Sequence, residues 1–408
     1  MKKALRPVLY SSCILFIFAA VYCTGSDSRQ SESNYGQSYL DSLNSARLNQ
    51  MEFRRFDKDR DGLVSRQEFN NLTRAMLQVH SDDPAQFQRG RFDSLDSNAD
   101  ENLSLREFRF NYVRDTLPWP GISHTNVVYK TVEDEPLLLD ILMPTKRVYD
   151  RAPVLYFIHG GGFRSGAKEY LRLNDLRMET ALQFADEGFC CVSVSYRLVN
   201  HDRGQDPVLI PDCLTDAWDG LRFLHNTAEK YHINPDRIIV WGESAGGHIS
   251  QMLSFSDPEK FPGIPVPAGK DVRPLAGISW YGPSDFTGSL KDEVGNSLQN
   301  RHFRNITGKH SFSEEDMELL RDMSPLYQLD KSDPPLLLMQ GDSDHAVHIS
   351  HATHLNARAQ ELGAKVEFIL VQNAGHNWRQ VGEPIDPSKE ELLEIMVDFA
   401  QRMIKSDQ

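Results

Sequence analysis

The sequence predicts an α/β protein: a mostly parallel sheet of eight strands covered by helices on both faces, preceded by a small all-α domain. Three observations predict it. Short apolar, β-branched runs recur from residue 126 onward, amphipathic stretches of helical length separate most of them, and two mutually similar acidic segments begin upstream at residues 56 and 95. Parallel strands require long crossover connections, and these helical stretches supply them.

The chain begins with a predicted signal peptide. Residues 1–23 carry Lys2, Lys3 and Arg6, then an apolar run from Pro7 to Tyr22. This layout predicts an exported protein, periplasmic or secreted. The run is shorter than the ~20 residues that comfortably span a bilayer. Membrane attachment is expected only if Cys23 is lipidated, and the bulky Tyr22 disfavours that processing. Residues 24–44 are polar and Ser/Gln-rich, as in a flexible tether. The formal charge of −14, with no concentrated basic surface, excludes a nucleic-acid partner. Beyond the leader, Cys190, Cys191 and Cys213 are too few for a disulfide framework, and the first two read as small buried residues of a strand.

Residues 45–116 hold the acidic pair, FDKDRDGLVSRQEF and LDSNADENLSLREF. In the first, Asp57, Asp59, Asp61, the Leu63 carbonyl, Ser65 and Glu68 stand at positions 1, 3, 5, 7, 9 and 12 of a twelve-residue loop, with Gly62 at the sharp turn. The second offers Asp96, Asn98, Asp100, the Asn102 carbonyl, Ser104 and Glu107, with Glu101 in place of the turn glycine. A hard Ca²⁺ ion takes such a cage of oxygens, with two from the final Glu. The segments resemble a paired EF-hand domain, and calcium is the cofactor this implies. LPWPG (117–121) then breaks the pattern and predicts a domain boundary.

The eight candidate strands are NVVYK, LLLDILM, PVLYFIH, FCCVSVSY, RIIVWG, LAGISWYG, PPLLLMQG and KVEFILVQ. Helical patterns cover residues 174–187, 212–230, 245–255, 350–362 and 388–404. In such sheets the reactive groups gather at the carboxyl ends of the strands. The fifth run leads into Gly242-Glu243-Ser244-Ala245-Gly246, where small residues let a strand reverse into a helix and leave the Ser244 hydroxyl exposed on the turn. The third run ends in His159-Gly160-Gly161-Gly162-Phe163. N–H groups of Gly161 and Gly162, with Gly160 in reserve, are candidates with that of Ala245 for an oxyanion hole. A serine needs a base, and the base an orienting acid. Asp344 and His376, on loops after the seventh and eighth runs, complete the order Ser, Asp, His; Asp342 and Asp285 are competing acids.

Residues 122–408 resemble the α/β-hydrolase superfamily, in its carboxylesterase branch related to hormone-sensitive lipase and to bacterial acetyl and acetylxylan esterases. HGGGF, SVSYRL, INPDRIIVWGESAGGH, SWYGPSDF, GDSDHAV and AGHNW carry the resemblance. It implies Ser244 as nucleophile, His376 as base and Asp344 as acid. Gln340 and Glu243 depart from the commonest forms, where histidine and aspartate stand. Ser254–Arg273 and Thr287–Asp330 are candidate cap elements. The expected activity is hydrolysis of small-molecule or carbohydrate esters, acetylated polysaccharide included, through an acyl-enzyme and without a cofactor for the chemistry. Formamidase or peptidase activity on the same triad, or a non-catalytic calcium-dependent interaction protein, are the alternatives.

Overall fold

The computed structural model describes residues 60–61, 63–68, 100–104, 117–173, 176–201, 207–288, 298–309 and 313–406. The chain divides into residues 1–43 and 44–408, and all described residues belong to the second unit. The predicted signal peptide (1–23) and the whole predicted tether (24–44) lie outside the described residues.

All eight predicted strands form one sheet: β1 (Ser123–Val132), β2 (Glu135–Leu142), β3 (Ala152–Ile158), β4 (Cys190–Val194), β5 (Ile233–Glu243), β6 (Ala276–Trp280), β7 (Leu336–Gly341) and β8 (Val366–Val371). Their spatial order is β8-β7-β6-β5-β3-β4-β2-β1. β2 pairs antiparallel with both β1 and β4, and every other pairing is parallel. Every residue of β3, β4, β6 and β7 is buried, which is why these strands read as unbroken apolar runs rather than alternating ones.

The predicted helices are α1 (Leu176–Asp186), α2 (Ile210–Tyr231), α3 (Ala245–Phe255), α7 (Ser350–Leu362) and α8 (Lys389–Ser406); α4 (Leu298–Thr307), α5 (Asp316–Asp322) and α6 (Pro325–Gln328) lie between β6 and β7. Successive residues of β3 face opposite sides, as the period of a strand requires. Val154, Tyr156 and Ile158 share a core with Trp218 of α2 and Ile249 of α3, while Leu155 and Phe157 share the other with Phe184 of α1 and Met396 of α8. Cys190, Cys191 and Cys213 are free and buried, and burial pushes the Cys190 thiol up to about 12.

LPWPG is anchored to the sheet unit rather than standing off from it. The Leu117 N–H donates to the Arg172 carbonyl (2.7 Å), and the Trp119 indole donates to that of Met143 (2.8 Å). Upstream, Leu63–Ser65 and Asn102–Ser104 pair as a short antiparallel ribbon with Val64 opposite Leu103.

The two candidate cap segments part company. Ser254–Arg273 starts at the end of α3 remote from Ser244, about 16 Å along an eleven-residue helix. It is tied to α2, where Asp219 accepts from the Ile264 N–H (2.7 Å) and Arg222 donates to the Pro258 carbonyl (2.9 Å). The described part of Thr287–Asp330 is packed into the core through Phe303, Ile306, Leu320 and Met323. The His302 ring on α4 lies 5.6 Å from Phe163, the residue that follows the glycine run.

Candidate active site

Ser244 stands between the last residue of β5 and the first of α3, with φ 52° and ψ −116°. A non-glycine residue in that region is strained by about 1–3 kcal/mol and persists only where its surroundings enforce it. Two glycines explain the enforcement. A Cβ on Gly242 would strike the Gly246 carbonyl, and one on Gly246 would strike the Ile158 carbonyl of β3. The helix start therefore presses directly against two strands, and the Ser244 N–H is held by the Trp280 carbonyl (2.9 Å).

The three residues predicted as a triad come together. Ser244 Oγ lies 3.1 Å from His376 Nε2, and His376 Nδ1 lies 2.7 Å from Asp344 Oδ2. Asp344 is buried, three residues past the end of β7. Its Oδ1 accepts from the N–H groups of Ala346 (2.8 Å) and Val347 (2.9 Å), and its Oδ2 also accepts from Gln340 Nε2 (3.2 Å). The competing acids are engaged elsewhere: Asp285 Oδ1 accepts from the Thr287 N–H and hydroxyl, both at 2.7 Å, and Asp342 Oδ1 accepts from Ser343 Oγ (2.9 Å). Against His376 packs the ring of Tyr281 at 4.6 Å, and Tyr281 in turn meets Trp378 at 4.8 Å.

In the glycine run, Gly161 and Gly162 both have positive φ, 109° and 62°. A Cβ on Gly161 would collide with Ser165, whereas one on Gly162 would meet open space. The Gly161 carbonyl accepts from the N–H groups of Arg164 and Ser165 (3.1 Å each), which closes the loop on itself. The Gly160 N–H points at Glu243 Oε1 (3.4 Å). That leaves the amides of Gly161, Gly162 and Ala245 as the better candidates for an oxyanion, with Gly160 spoken for.

In the sequence, Gln340 and Glu243 stand out only as departures from a family pattern. Here both have partners at the site: Gln340 on the acid, Glu243 on Arg177 of α1 (2.8 Å) and on the Tyr281 hydroxyl (3.4 Å). Arg177 lies 66 residues from Glu243, a separation no local pattern reveals.

This sheet order, with a Ser–His–Asp arrangement on the loops at its carboxyl edge, defines the α/β-hydrolase class. Within that class the chain belongs to the BD-FAE family, which matches residues 139–359, more than half of its length. It is similar to the esterase LipC of Mycobacterium tuberculosis, at 26% identity over 256 residues covering 60% of this chain and 58% of LipC. It is also similar to the isoprenylcysteine alpha-carbonyl methylesterase ICME of Arabidopsis thaliana, at 25% identity covering 64% of this chain and 58% of the relative. The chain thus spans well under two thirds of each of these relatives. Among solved structures, a truncated carbohydrate esterase from gut microbiota shares the fold with TM-score 0.56 and 22% identity, covering 71% of this chain and 97% of that one. Propionate-bound esterase 2 of Thermogutta terrifontis does so with TM-score 0.55 and 20% identity, covering 70% and 96%.

Proposed function

We propose that the protein is a serine carboxylesterase that hydrolyses carboxylic esters through an acyl-enzyme. The observation that carries this reading is the unbroken chain of contacts from Ser244 Oγ to His376 (3.1 Å) and on to Asp344 (2.7 Å). In this reading His376 Nε2 takes the Ser244 proton as Oγ attacks the ester carbonyl. Asp344 accepts from Nδ1–H, fixes that tautomer and stabilises the imidazolium. The amides of Gly161, Gly162 and Ala245 would receive the tetrahedral oxyanion. His376 then protonates the departing alcohol and later activates the water that frees Ser244. Expected relatives of this activity, formamide or peptide cleavage, use the same steps with a poorer leaving group.

Export and an acetylated polysaccharide as substrate belong to the same proposal, resting on the leader and on the esterase resemblance. So does calcium binding by the acidic pair. The described pieces of the loops fit it. The Leu63 N–H donates to Asp61 Oδ1 (2.8 Å) and the Asn102 N–H to Asp100 Oδ1 (2.9 Å), the same turn in each loop. Val64 and Leu103, at the eighth positions, sit opposite each other in the ribbon. Ser65 donates to Glu68 Oε2 from both its N–H (3.0 Å) and its hydroxyl (2.8 Å). Asp61, the Leu63 carbonyl, Ser65 and Glu68 would hold the ion in the first loop, and Asp100, the Asn102 carbonyl and Ser104 in the second. The other predicted ligands, Asp57, Asp59, Asp96, Asn98 and Glu107, lie outside the described residues.

Turnover of acyl esters of increasing chain length, with Ser244→Ala as control, tests the reading. Wild-type hydrolysis and a silent control are expected. Equal turnover in both proteins would sink it.

A further inference from the structure

We infer that Glu243 is a positioning residue for the oxyanion hole: its buried carboxylate, fixed by Arg177, ties Gly160 and the glycine run behind it to the strand that carries Ser244. The inference rests on the roles proposed above for Ser244, Gly161 and Gly162. Glu243 is the last residue of β5, immediately before the serine, and its side chain is 4% exposed. One oxygen, Oε2, accepts from Arg177 Nε (2.8 Å) and from the Tyr281 hydroxyl (3.4 Å). The other, Oε1, faces the Gly160 N–H at 3.4 Å, a long contact, but the fit around it is close. A Cβ on Gly160 would stand 3.0 Å from the Glu243 carbonyl and 3.3 Å from its Cγ, so a side chain there would crowd this contact. The Gly160 carbonyl is held as well, by His159 Nδ1 at 2.8 Å. The first glycine of the run is thereby clamped at both polar atoms, and the direction of the next two N–H groups follows from it.

Both the energetics and the charge of this ion pair favour a role beyond stability. A buried ion pair rarely adds net stability, because desolvating both charges cancels most of their attraction, and an apolar pair of the same volume would do as well. Its place beside a reacting centre therefore asks for a functional reason. The pairing also has the right sign. A lone carboxylate next to a developing oxyanion would oppose it, whereas a carboxylate paired to Arg177 supplies the anchor with no net charge.

The test uses the full chain and reads kcat, KM and the affinity for an alkylboronic acid, which forms a tetrahedral adduct on a reactive serine. Glu243→Ala should lower kcat by roughly tenfold or more, part of the 10²–10³ that one oxyanion donor contributes. KM should move less than about threefold, and boronate affinity should fall by the same factor as kcat. Arg177→Met, which leaves the strand beneath the elbow uncut, should show the same parallel loss and is the variant to read if Glu243→Ala does not fold. Wild-type kcat and boronate affinity in the folded variants, beside an inactive Ser244→Ala, would overturn the positioning role alone. Turnover by Ser244→Ala would overturn the functional reading instead.

Discussion

At the scale of single residues, each polar contact at the site carries a separate consequence. Ser244→Ala and His376→Ala should each lower ester turnover by factors on the order of 10³ or more, since members of a triad act as a unit. Asp344→Asn should also be severe, because the amide would present its N–H₂ or a weaker acceptor to His376 Nδ1 and so favour the wrong tautomer. Asp285→Asn should be mild in comparison, its carboxylate being committed to Thr287 (2.7 Å). Steady-state kinetics on the four variants checks the set, and a larger loss from Asp285→Asn would show that the acid has been misassigned. These three residues were legible because each lies in a short motif at the end of an apolar run, so order and position could be read together. Gln340 and Glu243 were visible only as unusual letters. Their partners, Asp344 and Arg177, depend on loops and helices that the local pattern does not place.

At the scale of elements, the segment after the base adopts a left-handed backbone. Asn377 and Trp378 both have positive φ, 61° and 55°, directly after His376. Trp378 is buried and packs edge-on against Trp280 at 5.5 Å, and that packing is what holds the two residues in place. Trp378→Ala should cost about 3–5 kcal/mol of stability, as for other large buried aromatics, and should lower kcat in the folded fraction by releasing His376. Unchanged kcat in folded Trp378→Ala would show that the loop keeps its shape without the indole. Two buried histidines give a second element-level prediction. Burial lowers His248 on α3 and His351 on α7 to about 4 from an ordinary 6.5. The unfolded chain takes up these protons near pH 6.5 and the folded protein only near 4, so stability is full above 6.5 and falls as the pH drops through that window. Each histidine contributes a slope of about 1.4 kcal/mol per pH unit. Urea midpoints at pH 7.5 and pH 5 should diverge in wild type and less so in His248→Phe; an equal divergence in both would contradict this. The strands were legible because residues buried on both faces must be apolar throughout. The helices between β6 and β7 were not, since their mixed composition fits a surface excursion as well as a packed layer, and only tertiary contacts from Phe303 and Ile306 decide it.

At the scale of the whole molecule, the calcium reading and the ester chemistry are separable. Glu101 has φ 64° at the turn position of the second loop, a conformation that costs a non-glycine residue roughly 1 kcal/mol, or about fivefold in affinity. Its carboxylate also pairs with Arg66 of the first loop, which offsets the charge it could offer a cation. The first loop should therefore bind calcium more tightly, so calorimetric titration should lose more affinity with Glu68→Gln than with Glu107→Gln. Equal losses would overturn the ranking. Chelation should leave ester turnover in place, because the triad needs no metal. The central claim, that Ser244 is the nucleophile raised by His376, is tested most directly by covalent labelling with a p-nitrophenyl phosphonate followed by peptide mass spectrometry. One phosphonyl group on the peptide containing Ser244 is predicted in wild type, formed far more slowly in His376→Ala and not at all on that peptide in Ser244→Ala. Labelling at another residue, or at the same rate without His376, would contradict the account.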